Sequence, residues 1–320
     1  MNDLTTVDVK EEKKDKLLLE AKRSKLVEHI ARALPKDGAV ILSDELLVFR
    51  ASTPSDLEHG ISFPSLCLTV QGAKEVILGE DAYCYNANHY LITAAALPIE
   101  SRVIEASKDK PCLGLVLKLE PGSVSAVIAE TAGSAKQSPV SKRAFSVSPL
   151  DEDLLDAVLR LLALQDLPPD EATFLRPLIM REIFFRLLKG DQGGWLRHTA
   201  VLGGQSQRIN EALELLRQDF KQPLRIADFA QAVGMSVSSF HHHFKAVTAM
   251  SPVQFQRRLR LQEARRLMLY EDYDAAQAGY SVGYEDNAYF SREYKRHFGN
   301  PPRRDVQQLK EANSLGSIKI

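Results

Sequence analysis

The chain has 320 residues, 44% of them hydrophobic and 26% charged, with a formal net charge of −1. That length suits about two domains at ~100–200 residues each, and the composition excludes disordered and collagen-like chains. No apolar run approaches the ~18 residues a spanning helix needs, and the charged start (Lys10, Glu11, Glu12, Lys13, Lys14) lacks the order of a secretory signal, so a cytoplasmic protein with no membrane partner is expected.

Residues 10–34 read as an amphipathic helix ended by Pro35. From 40 to 120 the pattern changes to short runs rich in β-branched and aromatic residues: Leu66–Val70, Glu75–Leu78, Ala82–Tyr85, Tyr90–Thr93, Arg102–Glu105 and Gly114–Leu119. Gly72, Gly79, Asn86, Asn88, Pro98 and Pro111 punctuate them, which predicts an all-β sandwich or barrel. Cys67, Cys84 and Cys112 fall in these strands. Their spacing matches no zinc or redox motif. They are small buried apolar residues or, if one thiol is acidified, sensors of oxidants. His59 and His89 stand alone, without the His-x-His pair a cupin-type metal site uses. No nucleophile, base and oxyanion arrangement is visible either. The chain is therefore expected not to be an enzyme, with no metal and no cofactor.

After Pro121 the pattern turns helical, with a loop of small and polar residues around Thr131–Ser141. Asp151–Leu164 and Leu175–Leu188 carry apolar positions at helical spacing, and Gly190, Gly193 and Gly194 break the second. The polar stretch Gly203–Gln207 marks a domain boundary, giving domains at 1–200 and 207–309. The two parts differ in charge: residues 201–320 carry 17 basic and 13 acidic side chains, and residues 1–200 carry 24 and 29. A basic part joined to an acidic one suits a nucleic-acid module fused to something else.

The last hundred residues contain a duplication. Ala227–Pro252 (ADFAQAVGMSVSSFHHHFKAVTAMSP) aligns with Ala276–Pro302 (AQAGYSVGYEDNAYFSREYKRHFGNPP). Val233-Gly234 corresponds to Val282-Gly283, and Phe240, Phe244 and Lys245 correspond to Phe290, Tyr294 and Lys295. In the first copy Ile226, Phe229, Ala230 and Val233 line one helix face. Gly234 supplies the left-handed stop, Ser236 caps the next helix, and Phe240, Phe244 and Val247 give that helix its buried face. Two short helices around a glycine are a helix-turn-helix, whose second helix enters the major groove. The units are expected at about 227–248 and 275–298. Gly279 stands where Ala230 stands, which lowers helix propensity by ~1 kcal/mol and predicts a weaker first helix in the second unit. Between the units, Gln254–Leu269 reads as a rigid helix with Leu259, Ala264 and Leu267 inward. Its Arg257, Arg258, Arg260, Arg265 and Arg266 are read as a solvated face.

Base readout belongs to the exposed start of each second helix. That face offers Ser238, His241 and His242 in the first unit and Asn287, Ala288, Ser291 and Arg292 in the second. Ser236, Lys245, Lys295 and Arg296 are placed for phosphates. The run His241-His242-His243 points three ways around a helix, so it cannot converge on one metal ion.

These segments resemble the AraC/XylS family of transcription regulators, through AVGMSVSSFHHHFKAVTAMSP, RLRLQEARRLML and VGYEDNAYFSREYKRHFGNPP, over roughly Gln207–Leu309. Residues 63–112 are similar to the N-terminal domain of one branch of that family. The resemblance implies an α+β multidomain chain: a cupin-like effector-sensing β-barrel with flanking helices used for dimerisation, then an all-α domain with two helix-turn-helix units. It also implies a sequence-specific activator type of regulator. Its partners would be double-stranded operator or promoter DNA, RNA polymerase, a small-molecule effector and a second copy of the chain. Two alternatives are a barrel that only dimerises and a cupin-type enzyme with a DNA-binding tail.

Overall fold

A computed structural model describes residues 4–131, 144–200 and 205–314. The chain opens with helix α1 (Leu4–Ala33) and runs through nine strands: β1 (Gly38–Ser43), β2 (Leu46–Ala51), β3 (Glu58–Ile61), β4 (Ser65–Gln71), β5 (Ala73–Leu78), β6 (Asp81–Asn86), β7 (His89–Thr93), β8 (Pro98–Glu105) and β9 (Cys112–Lys118). Helix α2 (Pro121–Glu130) follows, then β10 (Phe145–Pro149), α3 (Glu152–Ala163), α4 (Pro169–Lys189) and α5 (Gly193–Ala200). The remainder is helical: α6 (Gln205–Gln218), α7 (Ile226–Ala232), α8 (Val237–Thr248), α9 (Pro252–Tyr270), α10 (Ala275–Ser281), α11 (Asn287–Phe298) and α12 (Pro302–Ser314).

The strands form two antiparallel sheets, ordered β1-β2-β9-β4-β7-β10 and β3-β8-β5-β6. Alternation decides what each face of the larger sheet meets. Leu66, Leu68, Ile92, Leu115 and Leu117 point to a cluster shared with Leu26 and Ile30 of α1 and with Leu155, Leu162 and Ile183 of α3 and α4. The opposite face sends Cys67 and Leu91 toward Val76, Leu78 and Tyr85 of the smaller sheet. The six strands read from sequence are all present. Four others escaped that reading: β1, β2, β3 and β10. In β1 and β3 few residues are fully buried, so their hydrophobic alternation is weak.

Helix α3 starts where expected, capped by Asp151, which accepts from the Leu154 amide at 2.7 Å. The glycines after α4 do more than break it. A Cβ at Gly193 would lie 1.9 Å from the Leu188 carbonyl oxygen, so only glycine lets α5 fold back so tightly. The expected loop at Thr131–Ser141 lies outside the described residues from 132 onward. The expected boundary at Gly203–Gln207 also begins outside them, and its last three residues open α6.

The helical part holds two further cores. One joins Ile209, Leu213 and Leu216 of α6 to Ala230, Phe240, Phe244 and Phe255, and it runs without a break into Val76, Leu78, Tyr85 and Leu91 of the sheets. The second comprises Leu261, Ala264, Leu267, Ala278, Val282, Phe290 and Tyr294, with no strand residue among its described members. So α7–α8 is welded to the β-rich part through apolar packing, and α10–α11 is not.

Candidate nucleic-acid interface

The duplication read from the sequence folds as two matched units. In the first, α7 ends on Gly234 at φ +64°. The Met235 amide donates to the Ala230 carbonyl at 2.8 Å, and the Gly234 amide donates to Gln231 at 3.0 Å. In the second, α10 ends on Gly283 at φ +89°. The Tyr284 amide donates to Gly279 at 3.0 Å, and the Gly283 amide to Tyr280 at 3.1 Å. This paired 6→1 and 5→2 pattern satisfies the orphan carbonyls of a helix end and requires the left-handed residue. Each second helix then begins on a side-chain cap. Ser236 accepts from the Ser239 amide, and Asp286 accepts from the Tyr289 amide.

Gly279 has a packing role at the helix crossing. A Cβ there would sit 3.0 Å from the Phe290 ring, so its absence lets α10 and α11 cross closely. Asp274 and Gln277 add a reciprocal capping box at the start of α10. Phe240 and Phe244 of α8, like Phe290 and Tyr294 of α11, are fully buried. This fixes which faces of α8 and α11 remain outside.

Ser238, His241, His242, Ala288 and Arg292 are exposed on those outer faces. Asn287 and Ser291 are half-buried, which departs from the expectation of full exposure; Asn287 borders the Gly279–Phe290 crossing. Ser236, Lys245, Lys295 and Arg296 are exposed as well. Arg296 has a commitment the sequence did not reveal: it pairs at 2.5 Å with Glu293, which is itself buried and also faces Arg257 at 3.3 Å. The rings of His242 and His243 meet edge to face at 5.2 Å, and the three successive histidines do not converge. Exposed Arg303 and Arg304 at the start of α12, absent from the sequence reading, add cations next to α11.

The connecting helix α9 spans 19 residues, about 28 Å at the usual 1.5 Å rise. Ser251 and Gln254 form a capping box at its start, with Pro252 in the first turn. Its arginines were expected to face solvent, and three of the five, Arg258, Arg260 and Arg265, are instead drawn into the fold. Arg260 donates through Nε to the Phe220 carbonyl (2.7 Å) and through Nη1 to the Gly283 carbonyl (2.8 Å). Its Nη2 reaches Lys221 (3.0 Å) and Gln222 (2.9 Å). Arg265 grips Asp305 with two bonds of 2.7 Å, and the same carboxylate accepts from the Tyr294 hydroxyl at 2.7 Å. Arg258 meets Glu100 of β8 at 3.2 Å. Arg257 meets Glu293. Only Arg266 is exposed, and it pairs with Glu263 and Glu271. A guanidinium on a long apolar stem can serve as a fork for backbone carbonyls as readily as it faces water; a residue-type pattern does not distinguish the two.

The helical part lies against the β-rich part along a seam. The Ala144 amide donates to the Val247 carbonyl at 3.0 Å. A Cβ at Gly79, in the β5–β6 turn, would lie 2.6 Å from the Ala249 carbonyl oxygen. Gln262 of α9 donates to the Gly60 carbonyl at 2.8 Å. His59 does not stand alone, as the sequence suggested. Its ring lies 4.6 Å from that of His297 and 4.8 Å from that of Phe298. Two clefts open on the seam. One of about 800 Å³ lies between Phe63, Ala95 and Pro121 on one side and Leu213, Glu214 and Arg217 of α6 on the other. One of about 480 Å³ lies between β3 and α9.

The cysteines occupy strands as expected, but burial pushes the Cys67 and Cys112 thiols up, Cys112 to about 11, and slight burial together with the Glu75 carboxylate raises that of exposed Cys84. A sensing thiol needs the opposite shift.

No described helix is long and apolar enough to cross a membrane. Two family models match: an AraC-type transcriptional regulator N-terminus over residues 43–195, and a helix-turn-helix domain over residues 229–308. Among curated proteins the chain is similar to the HTH-type transcriptional activator RhaS of Salmonella schwarzengrund. That match is 24% identical over 243 residues, covering 73% of this chain and 84% of that protein. It is also similar to RhaS of Yersinia pestis bv. Antiqua, 27% identical over 45% of this chain and about half (49%) of that protein. Among solved structures it resembles ToxT of Vibrio cholerae in its apo form, with a TM-score of 0.54 at 11% identity over 85% of this chain and 98% of that one. It resembles ToxT with a bound unsaturated fatty acid to the same degree, 0.54 at 12% identity over 82% and 95%. At that identity the likeness concerns the fold. With both halves matched in order and both helix-turn-helix units built, the chain belongs to the AraC/XylS family of DNA-binding transcription regulators.

Proposed function

We propose that this regulator reads operator DNA with the exposed first turns of α8 and α11 and changes its affinity when a small molecule binds at the seam between its two parts. The observation that carries the reading is the matched geometry of the units: each buries its aromatic face and leaves a polar one outside. Ser238, His241 and His242 then meet base edges in one groove segment, and Asn287, Ala288, Ser291 and Arg292 in the next. Arg292 is assigned guanine, which a guanidinium contacts bidentately. Ser236, Lys245, Lys295 and Arg296 hold phosphates. The α9 helix sets a separation comparable with the ~34 Å of one duplex turn.

For the effector, the larger cleft of about 800 Å³ is our candidate. Small-molecule sites typically measure ~300–1,000 Å³ and carry apolar walls. A ligand there would touch α6, which shares a core with the first unit, and so would couple to DNA binding. ToxT, similar in fold, has been solved with an unsaturated fatty acid bound, which supports a small-molecule effector here. The same contacts favour an effector over a barrel that only dimerises. We further propose that the protein works in the cytoplasm without catalysing a reaction, as a dimer through its front half, and that it engages RNA polymerase.

The test selects genomic fragments with the purified full chain and measures affinity for them by fluorescence anisotropy across salt concentrations. Specific binding with a steep negative salt dependence is expected. Affinity that ignores salt, or that is equal for all sequences, refutes the reading.

A further inference from the structure

The fold gathers three metal-binding side chains from three separate elements at the seam. His59 lies on β3, Glu100 on β8 and His297 in the last turn of α11. One ligand atom from each lies within 4.8 Å of the others. Strands β3 and β8 are paired with His59 opposite Glu100 in the register, so the sheet itself places that pair. Helix α11 brings the third group from 197 positions beyond Glu100.

We propose that His59, Glu100 and His297 form a zinc-type divalent metal site that ties the second helix-turn-helix unit to the β-rich part. Two imidazoles and one carboxylate, with a fourth position left for water, are an established zinc donor set. The 60° tilt and 4.6 Å spacing of the two rings leave small side-chain rotations to bring the nitrogens to bonding distance. The His297 Nε2 is buried and has no hydrogen-bond partner, although a buried polar nitrogen normally has one. Arg258 touches one Glu100 oxygen and leaves the other for the ion, an outer-shell arrangement that orients a ligating carboxylate. The other nearby cations are compensated: Arg257 faces Glu293, and Arg265 is held by Asp305. His59 also lines the cleft of about 480 Å³ between β3 and α9, which gives the ion a path from solvent and the fourth ligand a place.

The site goes beyond the proposed DNA reading and is tested without DNA. The full chain, stripped with chelator, is titrated with zinc by calorimetry and with cobalt by visible absorption. One equivalent of zinc, four-coordinate cobalt bands and a melting temperature raised by zinc are expected. Each of His59→Ala, His297→Ala and Glu100→Gln should weaken zinc at least tenfold and abolish the thermal shift, while His89→Ala at the start of β7, outside the site, should change neither. Glu100→Gln keeps the shape of the site, so it decides the matter if an alanine variant fails to fold. No zinc bound by the parent chain, a six-coordinate aqua-like cobalt spectrum, or undiminished zinc affinity in Glu100→Gln overturns the proposal.

Discussion

Replacing Arg260 with methionine keeps the apolar stem of the side chain and deletes a guanidinium that holds four backbone carbonyls. Three of these belong to the segment 220–222 that leaves α6, and the fourth to Gly283 in the turn of the second unit. Hydrogen bonds to a charged group contribute roughly 1.5–3 kcal/mol each, but they do not all count in full. The Lys221 and Gln222 carbonyls lie where water can replace the lost donor, and the Phe220 and Gln222 carbonyls also accept from Gln256. Among the described residues the Gly283 carbonyl has no second donor, and it carries most of the loss. The net destabilisation expected is about 3 kcal/mol, felt by α10–α11. Hydrogen exchange with mass spectrometry reads this directly, because ~1.4 kcal/mol is a factor of ten in an opening equilibrium. Protection of the α10 and α11 amides should fall about a hundredfold, while α7–α8, anchored in the core it shares with the sheets, keeps its protection. Arg260→Lys should fall between, since a point charge cannot span four acceptors. A drop under tenfold, or an equal drop in both units, refutes the assignment of Arg260 as the tie between the 220–222 segment and the second unit.

Other outcomes can be checked on the same protein. Asp305→Ala removes the acceptor of both Arg265 and the Tyr294 hydroxyl, and leaving buried partners uncompensated should cost about 3–5 kcal/mol in denaturant unfolding. Gly283→Ala should destabilise far more than Gly234→Ala. Both residues are left-handed, at ~1–2 kcal/mol each, but a Cβ at 283 would lie 2.1 Å from the Lys221 carbonyl oxygen, whereas at 234 the nearest group is the Arg208 guanidinium at 3.8 Å. In anisotropy titrations, Arg292→Ala should lose ~1–3 kcal/mol of specific binding and relax preference at one base pair. Lys295→Ala should weaken all sequences alike and flatten the salt slope by about one unit. Equal behaviour of these two variants would remove the distinction between base and phosphate contacts.

Much of the helical part was legible because its determinants are local. Gly234, Gly283, Ser236 and the Phe240 and Phe290 positions act within a few residues of themselves, and the structure uses each as the pattern implied. Six strands were legible for the same reason. What escaped depends on partners far away in sequence. Arg260 and Arg265 read as surface residues until the carbonyls of 220–222 and the carboxylate of Asp305 are placed beside them. Strand β3 is short and half-buried, so its period is faint, and only its pairing with β8 reveals it. His59 gains Glu100 and His297 through that pairing and through the docking of α11. The demotion of Asn287 to a half-buried position follows from the close α10–α11 crossing that Gly279 permits.

The two recognition units are attached to the rest of the molecule by different kinds of force. One shares its oily interior with the sheets, whereas the other shares its own with α9 and meets the β-rich part through the rings of His297 and Phe298 against His59. Oily contact resists sliding over many atoms, whereas a few ring contacts release one at a time. On the proposed DNA reading, the rear unit, which shares no apolar core with the sheets, is the one expected to adjust when half-site spacing is altered.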